Sequence, residues 1–155
     1  MKNILVTGGA GYIGSHMVLE LINKGYTPVI LDNFSNSTRQ NNFTIEKITG
    51  AKLEVVEWDL KTPLDSIKLP KIDCIVHFGA LKAVGESVEK PIEYYRNNVT
   101  GSINLISYAK KKEIKNIVFS STAAVYGNPP TKQVNEDTPT NPVSPYAFSK
   151  LMIER

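Results

Sequence analysis

The segment Gly8-Gly9-Ala10-Gly11-Tyr12-Ile13-Gly14 constrains this chain more than any other. It follows directly on the apolar run Asn3-Ile4-Leu5-Val6. It leads into a stretch from Tyr12 to Lys24 where Ile13, Met17, Leu21 and Ile22 recur at helical spacing. Glycines at such a strand-to-helix junction permit a tight turn and let the backbone approach a pyrophosphate, whose charge the helix N-terminus stabilises. The segment satisfies G-x-G-x-x-G from Gly9 and G-x-x-G-x-x-G from Gly8, so Gly8, Gly11 and Gly14 are candidates for holding a dinucleotide.

The rest of the chain repeats the same alternation. Apolar strands are predicted over Thr27 to Leu31, Leu53 to Glu57, Asp73 to His77 and Asn116 to Ser120, with helices over Arg39 to Thr49 and from about Ile92 to Lys111. Gly79 and Gly85 are read as a loop, and Ile103, Leu105, Ile106 and Tyr108 as the apolar side of the long helix. Strands without polar alternation, separated by helices, predict an α/β fold with a parallel sheet covered on both faces. With right-handed crossovers this becomes a doubly wound Rossmann fold. A turn-rich, proline-containing region follows, and a last helix starts at Pro145 with Ser144 as its cap. That helix is still running at Arg155, so residues 1–155 are expected to be an NAD-binding domain incomplete at its C-terminal end, without its sixth strand.

Asp32 closes the second strand, 18 residues after Gly14. A carboxylate there accepts hydrogen bonds from adenosine ribose hydroxyls and repels a 2′-phosphate, which predicts NAD over NADP. The nearest arginine in the following loop, Arg39, is seven residues on. Asp59, after the third strand, fits either a contact with the adenine amino group or a capped turn. Tyr146 and Lys150 are four residues apart on the last helix and share one face. A phenol is a poor base at neutral pH, and a neighbouring ammonium and an oxidised nicotinamide both favour its phenolate.

A formal charge of +3 with acids and bases intermixed does not suggest nucleic-acid binding. Lys110-Lys111-Lys112 is read as the basic end of a helix. The single cysteine, Cys74, is expected inside a buried strand, can form neither an internal disulfide nor a metal cluster alone, and fits reducing cytoplasm. No metal site, membrane span or secretory leader is expected.

The segments VTGGAGYIGSH, LDNFSNS, HFGALKAVGES, EYYRNNVTG, FSSTAAVYG and SPYAFSK resemble the UDP-glucose 4-epimerase family, in the extended branch of the short-chain dehydrogenase/reductase superfamily. The resemblance implies that Tyr12 and Ile13 border the pyrophosphate, and that Asp32, Asn33, Phe34, Ser35, Asn36 and Ser37 line the adenosine ribose. It further implies that Asp59 and Leu60 lie near adenine, with Phe78, Gly79, Ala80, Leu81, Lys82 and Asn97 along the rest of the cofactor. Tyr146 would be the base, Lys150 its charged partner and cofactor contact, and Thr122 the hydroxyl that bonds the sugar. Lys82, Thr122 and Tyr146 would meet a UDP-sugar, although Lys82 also fits a solvated loop and Thr122 a strand-end cap. His77 fits a packed, non-catalytic position.

The implied reaction is NAD-dependent epimerisation at C4 of a UDP-hexose, the interconversion of UDP-glucose and UDP-galactose through a transient 4-keto sugar. Homodimerisation is implied through the Tyr94 to Lys111 helix and the Tyr146 helix. The rival is a nucleotide-sugar 4,6-dehydratase or decarboxylase of the same family. Dehydratases carry an acidic pair after the catalytic hydroxyl, where this chain has Ala123 and Ala124. A further possibility is a cofactor-binding fragment, which by itself is expected to be inactive.

Overall fold

The computed structural model describes residues 2–129 and 133–155. Five strands form one wholly parallel sheet: β1 (Asn3–Thr7), β2 (Thr27–Asp32), β3 (Glu54–Glu57), β4 (Cys74–His77) and β5 (Ile117–Phe119), in the order β3-β2-β1-β4-β5. The helices are α1 (Tyr12–Asn23), α2 (Arg39–Thr49), α3 (Val84–Glu89), α4 (Pro91–Tyr94), α5 (Gly101–Lys111) and α6 (Pro145–Glu154). Short 3-10 turns occupy Leu64–Ser66 and Ala123–Tyr126. The order runs outward from β1 in both directions, so the direction of winding reverses between β1 and β4. Ligands of such sheets bind beyond the carboxyl ends of the strands at that reversal, and here Gly8 and Gly79 follow those ends closely.

The chain divides into two compact units. The first combines Met1–Gly79 with Asn104–Ser120 and holds the whole sheet, α1, α2 and most of α5. Its strands bury both faces. Leu5, Val29, Leu31 and Ile75 pack with Leu105, Tyr108 and Ala109 of α5, while Ile4, Val6, Ile30 and Val76 pack with Val18 of α1 and Ile45 of α2. This two-sided burial is why the strands read as unbroken apolar runs. The β5 edge departs from the expectation, since Ile117 and Val118 are exposed. Cys74 also departs from it, being half-buried rather than buried, with its thiol pushed up by desolvation.

The second unit combines Ala80–Ile103 with Ser121–Arg155 and contains α3, α4 and α6. The expected Gly79 to Gly85 loop is shorter than read, because Gly85 lies inside α3. A β-carbon there would meet nothing within 4 Å, so the position tolerates glycine without requiring it. The long helix from about Ile92 is interrupted by a π-helical stretch over Tyr95–Thr100. On α5 the buried hydrophobic side chains are Leu105, Tyr108 and Ala109, whereas Ile103 and Ile106 are 56% and 47% exposed. With apolar residues on two faces of one helix, spacing could not identify the inner one. Ile13 is likewise exposed, because α1 packs through Gly14 and Val18.

The predicted start of α6 is present. Ser144 accepts a hydrogen bond from the Ala147 N–H at 3.2 Å, and Pro145 occupies the first turn. Ser144→Ala should lower the unfolding free energy by about 1 kcal/mol. Urea titration followed by circular dichroism measures this, and an unchanged midpoint at unchanged slope would count against the cap.

Candidate active site

In the first unit the glycine segment is shaped by close backbone contact. Gly8 has a positive φ of 69°, and a β-carbon on it would lie 2.9 Å from the Gly79 nitrogen. A β-carbon at Gly14 would lie 2.1 Å from the Gly8 carbonyl oxygen, so α1 can begin against the end of β1 only with glycine there. Helix α1 has no side-chain cap and no acidic residue in its first turn. Its leading N–H groups, at Tyr12 and Ile13 among others, therefore suit an anionic group.

Asp32 is buried at the end of β2 and organises the neighbouring loop. One carboxylate oxygen accepts from the Ala10 N–H at 3.0 Å, and the other from the Phe34 N–H and the Ser37 hydroxyl, each at 2.9 Å. The carboxylate thus joins the glycine segment to the Asn33–Ser37 loop. Phe34 takes a positive φ of 55°, while Asn33 Oδ1 accepts from the Ser35 N–H at 3.1 Å and its hydroxyl at 2.8 Å. Asn36 is exposed beside them.

A hollow of about 400 Å³ is lined by Asn33, Ser35, Glu57, Trp58, Asp59 and Thr62. Its lining combines the polar side chains of Asn33, Ser35, Glu57 and Asp59 with the Trp58 indole. Asp59 does cap a turn, with Oδ1 accepting from the Lys61 N–H at 2.9 Å, while Oδ2 lies 3.4 Å from Asn33 Nδ2 and 3.3 Å from Lys61 Nζ. Leu60 packs on the core, and its carbonyl accepts from Asn104 Nδ2 at 2.8 Å.

Three residues of this region escaped the sequence reading. Trp58, the chain's sole tryptophan, donates its Nε1–H to the Thr62 carbonyl at 3.1 Å and shapes the hollow. Its position directly before Asp59 was the available signal. Asn41 donates to the Ala10 carbonyl at 2.8 Å from α2, and nothing in its local sequence marks it. Glu57 lines the hollow and pairs with Arg39 at 2.7 Å, so the arginine noted in sequence is partnered.

Phe78 and Gly79 also belong to the first unit. The Gly79 N–H donates to Thr7 Oγ1 at 3.2 Å, and Phe78 packs on the core. His77 is buried between Thr7, whose hydroxyl lies 2.6 Å from Nδ1, and the Phe119 ring, as a packed histidine should be.

The second unit holds Ala80, Leu81, Lys82, Asn97, Thr122, Tyr146 and Lys150. Thr122 Oγ1 accepts from the Ala124 N–H at 3.2 Å and caps the 3-10 turn that follows. A hydroxyl that accepts one bond still has its hydrogen to give. Tyr146 is half-buried on the first turn of α6, and Lys150 lies one turn on. Lys150 is 4% exposed, and burial pushes its ammonium down to about 8. Asn98 was missed in sequence beside Asn97. Its Nδ2 donates to Ser149 Oγ at 2.9 Å, and Ser149 donates to the Tyr146 carbonyl at 2.7 Å. Asn97 donates to Asn98 Oδ1 at 3.0 Å.

This geometry fits NAD on grounds of its own: a crowded glycine turn, an uncapped helix start, an oriented acid and a polar hollow beside it. Among the described residues no group of three or more His, Cys, Asp or Glu side chains could hold a metal ion. No helix among them is long and apolar enough to cross a membrane.

Comparison with known proteins agrees with these features. The UDP-glucose 4-epimerase of Bacillus subtilis is 48% identical over 155 residues, a match covering 98% of this chain and 46% of that protein. A UDP-glucose 4-epimerase from Bifidobacterium longum, crystallised with NAD+ and UDP, superposes with a TM-score of 0.94 at 43% identity, over 99% of this chain and 47% of that one. The Stenotrophomonas maltophila UDP-glucose 4-epimerase, solved with NAD and a formylated UDP-arabinopyranose, gives 0.94 at 40% identity over the same shares. The chain thus spans about half the length of the curated relatives it matches. A family model described as GDP-mannose 4,6 dehydratase matches residues 5–155. The chain therefore belongs to that family of sugar-nucleotide enzymes, and the relatives and structures named above are UDP-glucose 4-epimerases.

Proposed function

We propose that residues 1–155 are the NAD-binding part of an enzyme that interconverts UDP-glucose and UDP-galactose at C4 through a transient 4-keto sugar. The observation that carries this reading is the Thr122-Ala123-Ala124 segment beside a Tyr146–Lys150 pair, in a chain of this family. A 4,6-dehydratase must remove a proton and expel a hydroxyl at neighbouring carbons, which requires acid and base side chains near the sugar. Alanines at 123 and 124 can supply neither, so the dehydratase activity for which the family model is named is the weaker reading here. UDP in the Bifidobacterium structure supports a UDP-sugar substrate.

In this scheme Gly8, Gly11, Tyr12, Ile13 and Gly14 hold the pyrophosphate, and Asp32 to Ser37 the ribose. Asp59 and Leu60 lie at adenine, and Phe78 to Lys82 with Asn97, Tyr146 and Lys150 along the remainder of the cofactor. NAD supplies reversible hydride chemistry at the sugar's C4 when bound. Tyr146 takes the proton of the 4-hydroxyl and later returns it, with Thr122 bonding the same hydroxyl. Lys150 is the charged partner of Tyr146 one turn along α6, and Lys82 meets the UDP-sugar. We further propose a homodimer, supported by the exposed apolar residues that α5 (Ile103, Ile106) and α6 (Phe148, Met152) leave uncovered. A cytoplasmic location is proposed from the single cysteine.

A coupled assay of the full-length polypeptide with UDP-galactose should detect UDP-glucose. A 4-keto-6-deoxy product in its place would establish the dehydratase reading. Tyr146→Phe should retain NAD and lose turnover by ~100-fold or more, within the usual range of general acid–base contributions. A rate within a few-fold of the parent's would show that the base lies elsewhere. Asp32 should make NAD bind more tightly than NADP in a direct titration, and equal affinities would contradict that role.

Lys150 gives a test by pH. Its folded value of about 8 lies below the ordinary lysine range, so near neutrality the buried ammonium costs stability. Between ~8 and ~10.4 the unfolded chain binds more protons than the folded one, so this cost is relieved as pH rises through that window. Lys150→Met should therefore stabilise the cofactor-free protein near pH 7, by about 1–3 kcal/mol. The advantage should shrink as the pH is raised through the same window. Urea midpoints across that range would decide it, and a pH-independent difference would refute the burial argument.

A further inference from the structure

Lys82 is exposed, and among the described residues it makes no ion pair, yet the backbone on either side of it is gripped from below. On one side the Leu81 N–H donates to Asn98 Oδ1 at 2.8 Å, and the Leu81 carbonyl accepts from Asn98 Nδ2 at 3.0 Å. On the other side the Ala83 N–H donates to the Tyr94 phenol oxygen at 3.0 Å. The phenol in turn donates its own hydrogen to Glu86 Oε2 at 2.9 Å, and Glu86 Oε1 accepts from Lys90 Nζ at 3.1 Å.

Tyr94 is 1% exposed, among the largest fully buried side chains of the chain. A buried phenol needs one partner for its hydrogen and can accept another, and here both are filled by groups that fix its oxygen in place. Burial and the Glu86 carboxylate push its ionisation up to about 12, so the hydroxyl stays protonated over the ordinary pH range. Glu86 is held below the usual carboxylate range, first by the bond from Tyr94 and then by Lys90. The chain Ala83–Tyr94–Glu86–Lys90 is thus a string of directional bonds that ends one residue from Lys82. A tyrosine serving only to fill the core would not need its oxygen at that backbone N–H.

We propose that Tyr94, oriented by Glu86, is a positioning residue that fixes the direction in which Lys82 leaves its loop. In this way it sets how strongly that ammonium engages the anionic diphosphate of a nucleotide-sugar. This rests on the reading in which Lys82 meets the UDP-sugar. Losing the phenol oxygen leaves the Ala83 N–H without its acceptor and lets the loop turn, while the machinery at Tyr146 and Lys150 keeps its composition. The effect should therefore fall on substrate affinity more than on turnover.

The test is a double-mutant cycle on the full-length, NAD-loaded protein, with UDP-galactose as substrate. Tyr94→Phe should raise KM about tenfold, the equivalent of one lost hydrogen bond, with kcat and NAD content changed less than about twofold. Lys82→Ala should raise KM at least as much, and adding Tyr94→Phe to it should change KM by less than about twofold. Multiplying effects in the double variant, or an unchanged KM in Tyr94→Phe while Lys82→Ala raises it, would overturn the positioning role alone. If Lys82→Ala leaves both constants unchanged, the reading of Lys82 fails and the proposal falls with it. Should Tyr94→Phe not fold, Glu86→Ala serves in its place. It should raise the same KM to a smaller degree, Glu86→Gln should restore it because the amide oxygen still accepts from the phenol, and an unchanged KM in Glu86→Ala would overturn the proposal.

Discussion

The carbonyl oxygen of Gly8 stands where a side chain on residue 14 would begin, and most of the first unit depends on that crowding. With only hydrogen at residue 14, α1 starts within van der Waals contact of the end of β1 and its axis is fixed against the sheet. Val18, one turn further along, then meets the core that Val6, Ile30 and Val76 present on that face. Gly11 at the N-cap position has no side chain to cap the helix, so its leading backbone donors are left where a charged group can use them. Asp32 extends the arrangement sideways, since its bonds to the Ala10 N–H, the Phe34 N–H and the Ser37 hydroxyl join the glycine segment to the Asn33–Ser37 loop.

The second unit uses burial in the opposite sense. An ammonium in water is strongly solvated, and Lys150 has lost most of that solvation, which shifts its ionisation towards neutrality. The fold sustains this because the surrounding helices are pinned by hydrogen bonds rather than by apolar contact alone. Asn98 reaches both the Leu81 backbone and Ser149, the residue beside Lys150, and Ser102 donates to the Asn98 carbonyl at 2.6 Å. Asn98 lies within the π-helical stretch, where a wider turn alters which side chains face inward. Local widening at a functional helix is a common use of such turns, and here it accompanies a buried amide with both of its polar atoms engaged.

What could be read in advance followed the strength of the local signal. Strands β1, β2 and β4 were legible because the sheet is covered on both faces there, which turns each one into an apolar run. The starts of α1 and α6 were legible because glycine crowding, Ser144 and Pro145 are local chemistry. The inner face of α5 was not, since Ile103 and Ile106 are as apolar as Leu105 and only tertiary packing decides between them. Helix α3 was hidden by Gly85, a residue that usually signals a turn but here sits in open space on a short helix. The π-helical stretch has no composition of its own. The candidate site residues proposed from the sequence lie in recognisable segments, whereas Asn41 and Asn98 bond to residues distant in the chain, which spacing does not encode.

The turn after Thr122 explains how a family model described by one reaction can match a chain whose relatives carry out another. The turn is held by the Ala124 N–H donating to the Thr122 hydroxyl oxygen, a bond that does not use the side chain of residue 124. Ala123 is exposed and Ala124 half-buried, so neither alanine is needed to fill the core. Fold and hydroxyl position are therefore separable from the chemistry of the two residues that follow. A carboxylic acid at either position would add a proton donor to the turn, whereas alanine adds none. In the epimerase reading proposed above, proton transfer falls to Thr122, Tyr146 and Lys150, and the two alanines take no part in it.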